Sequence, residues 1–214
     1  MVIQLDSELW FPAVEMSEPD GLLAVGGDLT AERLLLAYQS GIFPWFSGDE
    51  PILWWSPDPR FVLYPQKLKV SDTMRQILKK NVFKITYNTV FREVMMNCGK
   101  VFRKGQDGTW ITHEMIEAYT ELHRLGYAQS VEVWQDGVLV GGLYGIRLAH
   151  AFFGESMFAN VSNASKAGFI TFIKNQMDTG LKIIDCQVHT THLESLGAEM
   201  IERAKFLNEI IYKA

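Results

Sequence analysis

AQSVEVWQ-DG-VLVGGLYGI, residues 128–146, sets two alternating, β-branched runs on either side of Asp136-Gly137. Asp-Gly suits the two-residue type I′ turn, because both central positions need positive φ, so the segment reads as a hairpin. AHAFFGESMF (149–158) supplies a third strand. Upstream, Thr112 caps a helix over HEMIEAYTELHRL, with Met115, Ile116, Tyr119, Leu122 and Leu125 at three- and four-residue intervals and Gly126 ending it. SDTMRQILKK (71–80) reads as a short amphipathic helix and FKITYN (83–88) as a strand. Downstream, Asn163 to Met177 reads as a helix around Ala164, Ala167, Ile170 and Phe172, followed by the buried strand LKIIDCQV (181–188).

All seven prolines lie between Pro12 and Pro65, so the first third is loop-rich, with one helix after Gly26-Gly27-Asp28-Leu29-Thr30 that Ser40-Gly41 closes. The expected class is α+β: a small N-terminal domain over 1–64 and a mixed domain over 65–214. Helix, antiparallel hairpin, strand, helix and strand follow the order of the GNAT acyltransferase fold, although many α+β domains share it. A GNAT enzyme that uses acyl-CoA carries a glycine-rich loop at the start of the helix after the third strand. Asn160-Val-Ser-Asn-Ala-Ser165 stands there instead, which argues against a pyrophosphate close to the helix backbone.

With 214 residues, 48% of them hydrophobic and 21% charged, the chain can bury a core and is not disordered. It has no run of about 18 apolar residues, and MVIQLDSELWF lacks the pattern of a signal peptide, so no membrane association and a cytoplasmic location are expected. Cys98 and Cys186 are too few and too far apart for a disulfide framework or a four-cysteine zinc site. Cys186-x-x-His189-x-x-His192 scatters its side chains in three-residue steps, so no metal is expected.

The net charge of −5 hides a basic block. Residues 1–66 hold 2 basic and 10 acidic side chains, residues 67–104 hold 10 and 2, and the remainder 8 and 13. Lys67, Lys69, Arg75, Lys79, Lys80, Lys84, Arg92, Lys100, Arg103 and Lys104 form either a solvated helix face or a phosphate track. Asp185 and Gln187, two apart on an apolar strand, are expected on one face, and Glu155 is a third polar group among Phe152, Phe153, Met157 and Phe158. Three such groups converging suggest a site, though each could simply satisfy buried backbone. Trp45, Trp54 and Trp55 could fill a core or stack a base.

PDGLLAVGGDL (19–29), LLLAYQSGIFPWF (34–46), PILWWSPDPR (51–60), GTWIT (108–112), FGESMF (153–158), NASK (163–166), IDCQV (184–188) and SLGA (195–198) together resemble the bacterial leucyl/phenylalanyl-tRNA–protein transferases over nearly the whole chain. The resemblance implies a GNAT-like catalytic domain that moves Leu or Phe, and Met less well, from aminoacyl-tRNA to proteins with N-terminal Arg or Lys, creating a degradation signal. It implies Glu155, Asp185 and Gln187 as catalytic residues; on donor and acceptor chemistry, Asp185 is expected to accept from the Gln187 amide while the amide oxygen orients the attacking amine. Trp45 and Trp110 would hold the terminal adenosine with Tyr38 and Tyr119 nearby, and Leu143, Phe152, Met157, Phe172 and Ile184 would line the side-chain pocket. Lys79, Lys80, Lys84 and Arg75 would contact tRNA. No cofactor is implied, and a monomer is expected. Leu143, Gln176 and Thr190-Thr191 depart from residues common in the family and bear on pocket depth and acceptor contacts. An acyl-CoA N-acyltransferase and a non-catalytic tRNA-binding module are the alternatives.

Overall fold

In the computed structural model, which describes residues 2–48, 50–101 and 111–211, Asp136 and Gly137 take φ values of 51° and 79°, the pair a type I′ turn requires. The elements in chain order are β1 (Ile3–Leu5), β2 (Leu22–Gly26), α1 (Ala31–Gln39), β3 (Phe43–Pro44), β4 (Leu53–Trp55), β5 (Arg60–Leu63) and α2 (Asp72–Lys79). They continue with β6 (Lys84–Tyr87), α3 (Phe91–Gly99), α4 (His113–Arg124), β7 (Ala128–Gln135), β8 (Val138–Leu148) and β9 (Ala151–Ala159). α5 (Ala164–Met177), β10 (Ile183–Gln187), α6 (Thr191–Ser195), β11 (Glu199–Ile201) and α7 (Arg203–Ile210) complete the chain.

A four-stranded sheet runs β1-β2-β4-β3, and a seven-stranded one runs β11-β5-β10-β9-β8-β7-β6. β7, β8 and β9 form the antiparallel meander, while β9 and β10 are parallel. Side chains alternate between two cores: Tyr144, Ile146 and Phe153 join α1, α3 and α4 on one face, while Leu143, Phe152 and Ile184 join α2 and α5 on the other. Burial on both faces explains why these strands are almost continuously apolar. The expected domain boundary after residue 64 falls beyond β5, yet β5 pairs with β10 and β11 in the large sheet. Arg60-Phe61-Val62-Leu63 is buried throughout, and the prolines that flank it had marked the segment as loop. α3 was also unexpected: Phe91, Val94, Met95 and Cys98 have helical spacing, but Val90 at its start supplies no capping side chain.

Two bulges open the sheet where the site lies. On β9, Tyr144 pairs Ser156 and Gly145 pairs Gly154, leaving Glu155 as the extra residue. On β10, Asp185 pairs Val62 and Gln187 pairs Phe61, leaving Cys186 extra. The β9–β10 ladder ends at Phe153–Asp185, so both bulges lie just past the last pair and the strands splay there. Gly145 lets the bulge form, since a Cβ there would sit 2.2 Å from the Phe153 carbonyl oxygen. Among the described residues no helix is long and apolar enough to cross a membrane.

Candidate active site

Asp185 and Gln187 do not meet by strand alternation alone. The bulge shifts the register between them, and Gln187 has φ +64°, at the centre of a γ-turn closed by Val188 N–H donating to the Cys186 carbonyl at 2.8 Å. For a non-glycine residue that conformation costs about 1–2 kcal/mol. Its support is the Asp185 carboxylate, whose Oδ1 accepts from Gln187 N–H at 2.9 Å. Arg60 in turn holds Asp185 in a fork, Nε to Oδ1 at 2.8 Å and Nη2 to Oδ2 at 2.7 Å. The two side chains are each only 1% exposed. The guanidinium lies between two rings, 4.7 Å from the Phe43 centroid and 4.8 Å from that of Phe206, so β3, β10 and α7 meet at one cation.

The Gln187 amide does not donate to Asp185 as expected. Its Nε2 donates to Glu155 Oε1 at 2.9 Å, because Arg60 and a backbone N–H already occupy the Asp185 oxygens. Tyr119 donates to Glu155 Oε2 at 3.1 Å, and the Tyr38 hydroxyl meets that of Tyr119. Burial pushes the Glu155 carboxyl up to about 7, the Asp185 charge adding to the rise while hydrogen bonds from Tyr38, Tyr119 and Gln187 oppose it. Burial, joined by the Glu155 charge, pushes both tyrosines well above the usual phenol range, so they remain O–H donors.

Glu155, Asp185 and Gln187 edge a cavity of about 410 Å³ at the splay. Of the residues expected to form a side-chain pocket, Leu143, Phe152, Met157 and Ile184 line it. Phe172 stands one layer back, its ring 4.6 Å from that of Phe152, and Phe169 lines the wall without having been anticipated. Phe43, Pro44 and Trp45 close the cavity from the small sheet. Trp45 is 36% exposed at its edge and is held by Trp55, whose Nε1 donates to the Trp45 carbonyl at 2.7 Å; Trp54 is core. Tyr38 and Tyr119, expected beside a bound nucleotide, are fully buried behind Glu155 and offer no face to a base. Trp110 lies outside the described residues, as do Arg103 and Lys104.

The basic block is not brought to the cavity. Lys79 and Lys80 end α2, and Lys84 lies on the edge strand β6, three strands from β9 and so roughly 15 Å away. Arg75 is paired with Asp72, Lys67 with Glu199 at 2.5 Å and Arg92 with Glu117 at 2.6 Å, so the charge available to a polyanion is smaller than the count implies. The residue that sequence reasoning missed is Arg60. A carboxylate in an apolar strand needs a counter-charge, and Arg33 and Arg60 are the two cations in the first 66 residues, so that question could have found it.

An antiparallel meander, a parallel strand splayed from it and a cavity at the splay define a GNAT-like acyltransferase fold. A solved structure of FemX shares the fold at a TM-score of 0.52, with 11% identity over 80% of this chain and 66% of that one. Within that class, the chain belongs to the leucyl/phenylalanyl-tRNA protein transferase family, whose profile matches residues 62–211, with the family's N-terminal domain matching 27–58. It is 58% identical to the leucyl/phenylalanyl-tRNA–protein transferase of Flavobacterium johnsoniae, over 95% of this chain and 96% of that protein. Identity to the enzyme of the same name from Syntrophobacter fumaroxidans is 53%, over 96% of this chain and 88% of that one.

The Glu155 environment gives a stability signature. Unfolded, the carboxyl loses its proton near 4.5, and folded near 7, so between those values the native state binds more protons and stability falls as pH rises. The penalty, roughly 3 kcal/mol, is fully present above pH 7 and absent below about 4.5. Urea unfolding is expected to show Glu155→Gln matching wild type near pH 4.5 and exceeding it by up to about 3 kcal/mol at pH 8. Parallel curves for the two proteins would contradict the buried, titrating carboxyl.

Proposed function

We propose that the chain transfers a leucyl or phenylalanyl group from aminoacyl-tRNA to the α-amine of proteins that begin with Arg or Lys, marking them for degradation. It would act as a cytoplasmic monomer. The observation that carries the reading is the shared cavity: an apolar wall of Leu143, Phe152, Met157 and Ile184 faces a polar edge of Glu155 and Gln187. The wall suits a leucine or phenylalanine side chain, and the Glu155 carboxylate suits the donor's α-ammonium. Donor ammonium would favour the ionised carboxyl, so donor binding strengthens as pH rises through 7.

An aminoacyl ester is already activated, so its conversion to an amide needs positioning and proton transfer rather than a fresh energy source. With its Nε2 committed to Glu155, Gln187 would have its amide oxygen left to accept from an incoming amine. Asp185 acts through Gln187, holding the γ-turn, and not as a base. Trp45 would stack the terminal adenosine. Lys79, Lys80 and Lys84 are exposed and would carry the tRNA body, the acceptor arm spanning the distance to the cavity. A division into a small N-terminal domain and a catalytic domain, set before β5 rather than after it, fits the strand pairing.

Incubating an Arg-initiated peptide with Leu-tRNA, with free leucine or with acetyl-CoA separates the alternatives. Modification is expected only with Leu-tRNA; acetylation, or tRNA binding with no modified peptide, would sink the reading. Replacing Lys79, Lys80 and Lys84 together with Ala is expected to weaken tRNA binding and lower the salt-dependence slope by about 2–3. An unchanged slope would remove the basic edge from the tRNA path.

A further inference from the structure

Within the proposed reaction the attacking amine must lose a proton, and the groups already described are poorly placed to take it. Both Glu155 oxygens accept hydrogen bonds, from Gln187 Nε2 and from Tyr119. Both Asp185 oxygens are held by Arg60. Gln187 is an amide and no base. Burial pushes the Cys186 thiol far above its usual range, so it stays protonated, and the same sulfur is turned toward the Ile184 carbonyl. The Thr190 hydroxyl caps α6, accepting from Leu193 N–H at 3.2 Å.

His192 is different. It lies in the first turn of α6 and lines the same cavity as Glu155, Gln187 and Leu143. Its Nε2 is buried and has no hydrogen-bond partner among the described residues. A buried ring nitrogen on a cavity wall, left unpaired while the polar groups around it are engaged, is poised for a ligand. We propose that His192 Nε2 takes the proton from the attacking α-amine and returns it to the departing ribose oxygen. Nitrogen bonds to the ester carbonyl carbon as its N–H proton passes to Nε2. The carbon–oxygen bond then breaks, the imidazolium protonates the leaving oxygen, and amide, free hydroxyl and neutral histidine result.

The surroundings keep the ring in the basic form. Burial, joined by the Lys166 charge on α5, lowers the His192 pKa, so at neutral pH the ring is uncharged. Among the described residues, Tyr144 on β8, Glu155 on β9, and Asp185 and Cys186 on β10 are the other titratable groups on this cavity, and His189 and Glu194, 3.2 Å apart, form a pair on the flanking segment. The same Lys166 charge disfavours the imidazolium, which favours its return of the proton.

The inference rests on the transfer reaction proposed above, so its test begins with wild-type protein transferring leucine from Leu-tRNA to an Arg-initiated peptide; no transfer by wild type defeats that reading itself. Single-turnover rates of His192→Gln and His192→Ala are then measured from pH 5 to 8. Both are expected to lose about 100-fold or more in kcat with KM for each substrate within about threefold. The acid limb of log kcat should lose one unit of slope, and imidazole should restore part of the His192→Ala rate. Rates within threefold of wild type, a loss confined to KM, or an unchanged acid limb without imidazole rescue would overturn the proposal. If His192→Ala fails to fold, the near-isosteric His192→Gln decides by the same rate and slope.

Discussion

Asp185 is a carboxylate with 0% exposure, and the cost of taking it from water is offset by Arg60, which meets both oxygens in a fork and is itself held between Phe43 and Phe206. Breaking such a pair leaves an uncompensated buried charge, a penalty of about 3–5 kcal/mol. That asymmetry makes the pair a rigid reference point. It ties β10 to the four-stranded sheet through Phe43 and to the C-terminal helix through Phe206, and its remaining lone pair stabilises the strained backbone of Gln187. The backbone turn at Gln187 and the seat of Phe43, beside the Pro44 and Trp45 wall of the cavity, both bear on this one ion pair.

Two carboxyl groups in neighbouring strands thus have opposite fates. Asp185 is matched by a cation and serves as a fixed negative charge, whereas Glu155 has neutral donors alone and Asp185 nearby, and burial pushes it up to about 7. Environments that drive paired acids apart in this way allow the two carboxyl groups to take the different roles proposed for them. Tyr38 and Tyr119 belong to the same arrangement: buried phenols, held well above the usual phenol range, stay protonated and turn a hydroxyl donor toward the Glu155 carboxyl. The apolar wall behind it is shared with the α5 core, so the shape of the cavity and the packing of α5 are set by the same side chains.

Much of this was legible in the sequence. Asp136-Gly137 between alternating runs gives the hairpin because turn chemistry is local, and Glu155, Asp185 and Gln187 stand out because a polar side chain in an apolar strand is costly unless matched. What could not be read arises from contacts between distant segments. Simple alternation places Asp185 and Gln187 on one face, but a bulge and a left-handed residue set the actual geometry, and neither has a local signature here. Gln187 was assigned Asp185 as its partner for want of any sign that Arg60, 125 positions away, had already claimed it. Aromatic residues near a site read equally well as stacking platforms or as packing, and only burial separates Trp45, at the cavity edge, from Tyr38 and Tyr119 behind it.

The most direct measurement is the single-turnover rate of leucyl transfer by an Arg60→Met/Asp185→Leu double variant, taken with its unfolding free energy. Replacing both charges with apolar groups should restore most of the stability that either single substitution removes. Transfer should nonetheless remain at least about 100-fold below wild type, because Gln187 has lost the carboxylate that holds its turn. A stable double variant that transfers leucine within threefold of wild type would show that the pair merely holds the strands together.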